Sequence, residues 1–411
     1  MTLTWFDILN IMLFIYPALM AIYWSTAASA YCAFIEAEFK EPFFHIMEPD
    51  EVPMVSIMIP CYNEADNLDD AIPHLLKLTY PKYELIFIND GSKDNTGEII
   101  DRWAKQDSRI VAIHQENSGK ASALNHGLLI AKGEYVGCID GDAVLDYHAV
   151  DYMVQALQSD PKCGAVTGNP RVRNRSTILG CLQTSEFSSI IGLIKRAQSL
   201  MGTIFTVSGV CCLFKADAMK EIGGWSVNMI TEDIDVSWKL QISGYNVIYE
   251  PRALCWTLMP ETITGLFKQR LRWAQGGAET IIKYFPLIWR FKNRRLWPMY
   301  VEYFVTAFWA YALVIVLCID IYLELTDGGL NVPMFRMLMT VLFFCFFWQY
   351  LFSLYIDSRY EKGLFRYSLY CIWYPYVYWA LNLVTLVIGL PKAIFRNKSR
   401  LAVWTSPDRG V

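Results

Sequence analysis

The residues of this 411-residue chain best suited to chemistry are carboxylates in short, ordered groups. Asp140-Gly141-Asp142 follows the apolar run from Tyr135 to Ile139. Two carboxylates on a strand-end turn can converge on one divalent cation, and hard oxygen ligands suit Mg2+ or Mn2+ completed by diphosphate oxygens and water. Taken alone, Asp-Gly-Asp is equally a solvated turn; its place after a strand favours the metal. Thr231-Glu232-Asp233 opens a helical run, where acidic residues complement the helix dipole. Alternatively, one of them is a general base, which must lie close to the proton it removes and be ionised at working pH. Gln269-Arg270-Leu271-Arg272-Trp273 sits in a helical stretch from Thr264 to Trp289 that is apolar on one side and basic on the other. That pattern suits an interfacial helix. An arginine so placed could also hold a leaving diphosphate, because its fork matches phosphate oxygens.

The elements that carry these groups alternate. Strands are expected at Val55 to Pro60, Glu84 to Asn89, Arg109 to His114 and Tyr135 to Asp140. Helices are expected at Asp66 to Leu78, Thr96 to Lys105 and Ser118 to Ala131, the last capped by Ser118. Such a βαβαβ succession implies an α/β domain with a mostly parallel sheet and ligands at the carboxyl ends of its strands. Those ends carry Tyr62-Asn63-Glu64, Asp90-Gly91-Ser92 and Asp140-Gly141-Asp142. No GxGxxG is present, and Gly119-Lys120 lacks the earlier glycine of a P-loop, so dehydrogenases and P-loop NTPases are disfavoured. Without a GxSxG elbow, α/β-hydrolase chemistry is disfavoured too.

Composition adds a second part. The chain is 54% apolar and only 18% charged, against roughly 25% charged in a soluble domain. Ile8 to Ile35 carries no charge, and about 20 apolar residues span a bilayer. The first Lys or Arg after it is Lys40, so a retained anchor is expected, not a cleaved signal. Further apolar blocks run from Trp297 to Leu325, Pro333 to Ile356 and Tyr367 to Leu390, with Glu302, Asp320 and Arg336 near block ends, where snorkelling is possible. The basic cluster Lys283, Arg290, Lys292, Arg294 and Arg295 places the middle domain in the cytoplasm by the positive-inside rule. A net charge of -4 gives no basic field, which argues against nucleic-acid binding. Eleven cysteines without CxxC spacing argue against a disulfide framework or a zinc site.

Taken together, Ile59-Pro60-Cys61-Tyr62-Asn63-Glu64, Asn89-Asp90-Gly91-Ser92, Asp140-Gly141-Asp142, Thr231-Glu232-Asp233 and Gln-x-x-Arg-Trp at 269 to 273 resemble the processive family 2 glycosyltransferases, the group of cellulose, chitin and hyaluronan synthases. Val166 to Asn174, the Tyr-Ile-Asp-Ser-Arg-Tyr-Glu-Lys run at 355 to 362 and Trp404 to Gly410 resemble the bacterial poly-β-1,6-N-acetylglucosamine synthase branch. The resemblance implies a GT-A-type domain inserted between transmembrane helices, in a bacterial inner membrane. It implies an N-terminal anchor at 1–36, a transferase domain at 37–263, an interfacial region at 264–296, a transmembrane region at 297–395 and a cytoplasmic tail at 396–411. The implied reaction is inverting transfer of N-acetylglucosamine from UDP-GlcNAc to a growing β-1,6 exopolysaccharide, with export and a small membrane partner subunit. Tyr62, Asn63, Glu64 and Asp90 are expected at uracil and ribose, and Lys120 at phosphate. Asp140 and Asp142 are expected at the diphosphate and its Mg2+ or Mn2+. The resemblance makes Asp233 the base, supported by Glu232. It puts Gln269, Arg272 and Trp273 on the acceptor and diphosphate side; Trp225 either stacks on the acceptor or belongs to the core.

Sugar and linkage rest on resemblance alone; spacing leaves chitin, hyaluronan or cellulose open. A transferase to polyprenyl phosphate, or a membrane sensor that binds nucleotide without turnover, are the other classes. The C-terminal block poses a conflict. Lys392, Arg396, Lys398 and Arg400 favour a cytoplasmic tail, yet three crossings after a cytoplasmic domain leave it outside. A block that enters and returns at Pro375 resolves this, and a further crossing not read from the sequence is the alternative. The tail, with Arg409 at the diphosphate and Trp404 excluding water, is expected to fold over the nucleotide site.

Overall fold

A computed structural model describes residues 5–39, 52–327, 332–372 and 374–397. Helix α1 (Trp5–Phe34) precedes the α/β domain. Its first half is β1 (Val55–Cys61), α2 (Ala65–Leu75), β2 (Tyr83–Asp90), α3 (Thr96–Gln106), β3 (Ile110–Gln115), α4 (Lys120–Ile130) and β4 (Tyr135–Cys138). Strands β1, β2, β3 and β4 pair in parallel, as the alternation predicts. All seven residues of β1 are buried, which is why it reads as an apolar run and not an alternation. The cap of α4 differs from expectation. Gly119 holds that position at φ +88°, while Ser118 Oγ donates to the Glu116 carbonyl.

The second half, of which only the helical run opening at Thr231 is expected from sequence, completes the sheet. It comprises β5 (Val144–Leu145), α5 (Ala149–Ser159), β6 (Cys163–Val172), α6 (Ile178–Phe187), α7 (Ile194–Leu200), β7 (Cys212–Lys215), α8 (Ala216–Glu221), α9 (Glu232–Ser243) and β8 (Asn246–Thr257). The sheet has eight strands in the order β3-β2-β1-β4-β7-β6-β8-β5. β7 runs antiparallel to β4 and β6, and β5 antiparallel to β8, so the sheet is mostly parallel with a mixed far side. Helices pack on both faces around two apolar clusters.

Four long helices complete the chain: α10 (Ile263–Ile288), α11 (Trp297–Asp327), α12 (Val332–Asp357) and α13 (Tyr374–Phe395). Thr262 caps α10, its side chain accepting from the Gly265 N–H. Helices α1, α11, α12 and α13 are long and apolar enough to cross a membrane, and a membrane protein follows. Asp320 does not snorkel: it is buried, with Asn10 of α1 as its partner. Nor does the last block turn back. Pro375 lies in the first turn of α13, where proline is tolerated, and the helix runs unbroken for 22 residues. It leans on the α/β domain throughout. Tyr378 packs with Cys181 and Leu182, Gly389 sits on Ala274 and Gln275, and Arg396 pairs with Glu279 at 2.9 Å. The last turn of α13 therefore lies beside the domain without an inward return. Trp404 and Arg409 lie outside the described residues.

A buried ionic cluster ties the membrane helices to the domain. Asp357, at the end of α12, accepts from Arg171 Nη1 at 2.6 Å and from Arg196 Nη1 at 2.7 Å. Arg196 also pairs with Glu36, just beyond α1, and Tyr360 donates to the same carboxylate at 2.8 Å.

Candidate active site

The site forms where β1, β2 and β4 end. Asn63 takes φ +55°, a conformation that asparagine tolerates better than most residues. Its N–H donates to Ser92 Oγ at 3.0 Å, and its Oδ1 accepts from the Lys93 N–H at 2.8 Å, locking two strand-end loops together. Glu64 is buried, its N–H donating to Thr96 Oγ1 at 2.8 Å. Asp90 is buried as well and accepts from Gln115 Nε2 and from the Ser118 and Gly119 amides at 2.8–2.9 Å. It thereby builds the loop that launches α4 and aims Lys120. Tyr62 is only half-buried on the same rim.

Lys120 is the centre of the arrangement. Its Nζ lies 2.6 Å from Asp140 Oδ1 and 3.3 Å from Glu232 Oε1, so one ammonium joins the two carboxylate motifs. Burial works against this charge, but Asp140 and Glu232 outweigh it and hold the ammonium well above the usual lysine range. Asp142 is 2% exposed. The turn that carries both aspartates has no room at its glycine, since a Cβ on Gly141 would stand 3.1 Å from Glu64 Cγ.

Asp233 sits in the first turn of α9, half-buried, its Oδ1 accepting from the Ile234 N–H at 2.9 Å. Desolvation, then the charge of Glu232, pushes its carboxyl up to about 6, against the pull of Lys120 and Arg272. A carboxylate tuned close to neutrality suits a general base. On the other side α10 brings Gln269, Arg272 and Trp273, all half-buried. Arg270, which sequence gave no role, makes a buried bidentate pair with Glu186 at 2.9 and 2.7 Å. Its guanidinium also covers one face of Trp273, 4.2 Å from the ring centre, and the half-buried ring packs against the apolar cluster under the sheet. Trp225 has no face for a sugar. It is 3% exposed and edge-on to Phe214 in the core, and the Gly223-Gly224 turn before it pins its backbone to Asn125. The expectation of acceptor stacking at Trp225 is corrected.

Residues 53–276 match the family described as "Glycosyltransferase like family 2". Two poly-beta-1,6-N-acetyl-D-glucosamine synthases are similar along the chain. That of Staphylococcus epidermidis is 44% identical over 411 residues, and that of Staphylococcus aureus 42% over 408, each covering 98% of both chains.

The chain belongs to glycosyltransferase family 2.

The fold agrees with that membership. A mannosyltransferase from Pyrobaculum calidifontis, solved with GDP-Man and Mn2+, superposes with TM-score 0.67 at 21% identity, over 95% of this chain and 99% of that one. It is a GT-A-like structure, and the match extends to the helices flanking the transferase domain. As a family 2 glycosyltransferase the protein transfers a hexose, and its sequence reading of an α/β GT-A-type domain between candidate membrane helices holds.

A metal suits this site by the chemistry of its donors. Among the described residues no three His, Cys, Asp or Glu side chains gather into a cage. Asp140 and Asp142 offer two hard carboxylates on one turn, which fits Mg2+ or Mn2+ held chiefly through phosphate oxygens and water.

Proposed function

We propose that this glycosyltransferase polymerises N-acetylglucosamine from UDP-GlcNAc into a β-1,6-linked chain, with inversion at each transfer. The carrying observation is the bridge by which Lys120 joins Asp140 to Glu232, beside a carboxylate at 233 tuned to about 6. The polymer's identity is supported by the named staphylococcal relatives.

In this reading Tyr62, Asn63, Glu64 and the Asp90-built loop receive uridine. Asp140 and Asp142 hold the divalent metal, which when bound supplies Lewis-acid charge for the diphosphate. Lys120 adds a fixed cation on the same side, and Arg272 approaches from α10. Asp233 takes the proton from the acceptor 6-hydroxyl as that oxygen bonds to the anomeric carbon; the bond to UDP breaks and UDP leaves with its electron pair. An α-linked donor gives a β-link in that single displacement. Glu232 stays paired with Lys120. Gln269 and the exposed part of Trp273 guide the acceptor, and the growing chain passes into the membrane helices. The basic residues Lys283, Arg290, Lys292, Arg294 and Arg295 favour a cytoplasmic domain on the inner bacterial membrane.

The test supplies purified protein with radiolabelled UDP-GlcNAc as sole donor and digests the product with linkage-specific hydrolases. A β-1,6 product supports the reading. A requirement for UDP-glucuronate, or a product soluble in organic solvent, overturns it. Asp233→Asn should bind UDP without turnover. EDTA should abolish turnover and Mg2+ or Mn2+ restore it; full activity in EDTA would remove the metal role from Asp140 and Asp142.

A further inference from the structure

Lys195 stands behind the candidate base. It lies on α7, 4% exposed, and donates from Nζ to Thr167 Oγ1 at 2.9 Å and to Ser208 Oγ at 2.6 Å. Thr167 Oγ1 also accepts the Ser208 N–H at 2.8 Å, so β6 and α7 fix Ser208 between them. Ser237, one turn into α9, accepts the Val207 N–H at 2.8 Å and donates to the Asp233 carbonyl at 2.6 Å. The turn closes where the Cys211 N–H donates to the Ser208 carbonyl at 2.9 Å. Gly209, at its tip, is pressed against the base: a Cβ there would stand 3.4 Å from both Asp233 Oδ2 and Lys120 Nζ.

The charges sort into pairs. Lys120 meets two carboxylates, Asp140 and Glu232. Lys195 has Asp233 on α9 as its opposing charge, with Cys211 and Cys212 facing it from the start of β7 and hydroxyls from β6 and the turn. Burial keeps Cys212 a neutral thiol. The next residue, Arg196, points away to Glu36 and Asp357. Asp233 in turn is faced by Glu232, Lys120 and Arg272. Burial draws the Lys195 ammonium down to about 8, with Asp233 opposing that fall. An ammonium kept in such a place at a desolvation penalty needs a reason.

We propose that Lys195 is a positioning residue for the transfer step, pinning the Ser208-Gly209 turn against Asp233 and Lys120, with its ammonium adding to the cations, Lys120 and Arg272, that favour the ionised carboxylate. The inference rests on Asp233 being the base. Removing the cation leaves a carboxylate beside Glu232 that takes up a proton at higher pH, and the acceptor hydroxyl then has nowhere to send its own.

The test measures UDP release by the full-length protein across pH 5 to 9, with UDP affinity as the check on folding. Lys195→Gln can still donate to both hydroxyls but carries no charge; Lys195→Met does neither. Both should move the acid limb of kcat upward by about one pH unit, roughly tenfold in rate on that limb. Only Met should also raise the acceptor KM severalfold, and Lys195→Arg should return the limb toward wild type. A Lys195→Gln enzyme with the wild-type limb and kcat overturns the inference, whatever Lys195→Met does. Asp233→Asn is run alongside. If it is inactive while Lys195→Gln is unchanged, only the role of Lys195 fails; if it turns over, the base assignment fails and this inference with it.

Discussion

Asp357→Asn is the sharpest test of how the membrane helices hold the transferase domain. The substitution keeps the shape of the side chain and one acceptor oxygen but removes the charge between two guanidinium groups, Arg171 and Arg196, that are 1% and 0% exposed. Arg196 retains Glu36, and Arg171 retains a carboxylate at 3.7 Å, Glu361, and the neutral hydroxyl of Ser188 at 3.1 Å. Breaking a buried ion pair by removing one partner costs about 3–5 kcal/mol, because the remaining charge cannot reach water. At about 2–4 °C per kcal/mol, the apparent melting point in detergent should drop by roughly 10 °C. The comparison is Arg102→Ala, which breaks a pair with Asp69 whose members are 50% and 53% exposed; an exposed pair contributes about 1 kcal/mol or less. Differential scanning of both variants, at one scan rate because unfolding of such proteins is often irreversible, reads the contrast. Equal shifts for Asp357→Asn and Arg102→Ala would refute the reasoning, since burial would then not govern the cost.

If Asp233 is the proposed base, turnover should fall on an acid limb near pH 6, because a base must be ionised and this carboxyl is pushed up to about 6; a flat kcat from pH 7 to 5 would count against it. The same shift has a stability sign: the folded state binds this proton more tightly than the unfolded chain, so the contribution of Asp233 improves as pH falls from about 6 toward 4. Asp233→Asn should therefore melt higher than wild type at pH 7.5 while losing turnover, and a lower melting point would contradict the sign. Lys120→Met leaves Asp140 and Glu232 without their shared cation, and should cut kcat at least about a hundredfold, in line with losing one preorganised charge at a reacting centre. Gly276→Ala would ordinarily stabilise a helix interior by about 1 kcal/mol; here a Cβ would strike Thr231 Oγ1, so stability and turnover should both drop.

The first half of the sheet and its strand-end carboxylates were legible because β1 and β2 are apolar runs ending in polar turns, and each turn lies next to its strand in sequence. The run at 355 to 362 was legible only as a resemblance. Its physical use, through Asp357, Tyr360 and Glu361, depends on Arg171, Arg175 and Arg196 far away in the chain. Lys195 and Arg270 were missed for the same reason: nothing near either in sequence announces Asp233 or Glu186. Trp225 stays open in the sequence between acceptor and core, because a tryptophan after two glycines looks the same whether its ring faces a sugar or the core. Charge counting at the C-terminus posed a conflict that hydropathy could not resolve, since hydropathy reports length and not the lean of α13 on α10.

That lean has a consequence in the language of lipids. A Cβ on Gly389 of α13 would meet Gln275 N at 3.0 Å, and one on Gly276, next in α10, would collide with Thr231, the residue before Glu232 and Asp233. Close glycine contacts thus connect a candidate membrane helix to α10, and α10 to the residue that caps α9. Helices answer a change in bilayer thickness by tilting, and a tilt of α13 would be felt first at its contact with α10. Acyl-chain length in the host membrane therefore becomes a variable of catalysis: at fixed substrate, the rate should follow lipid thickness.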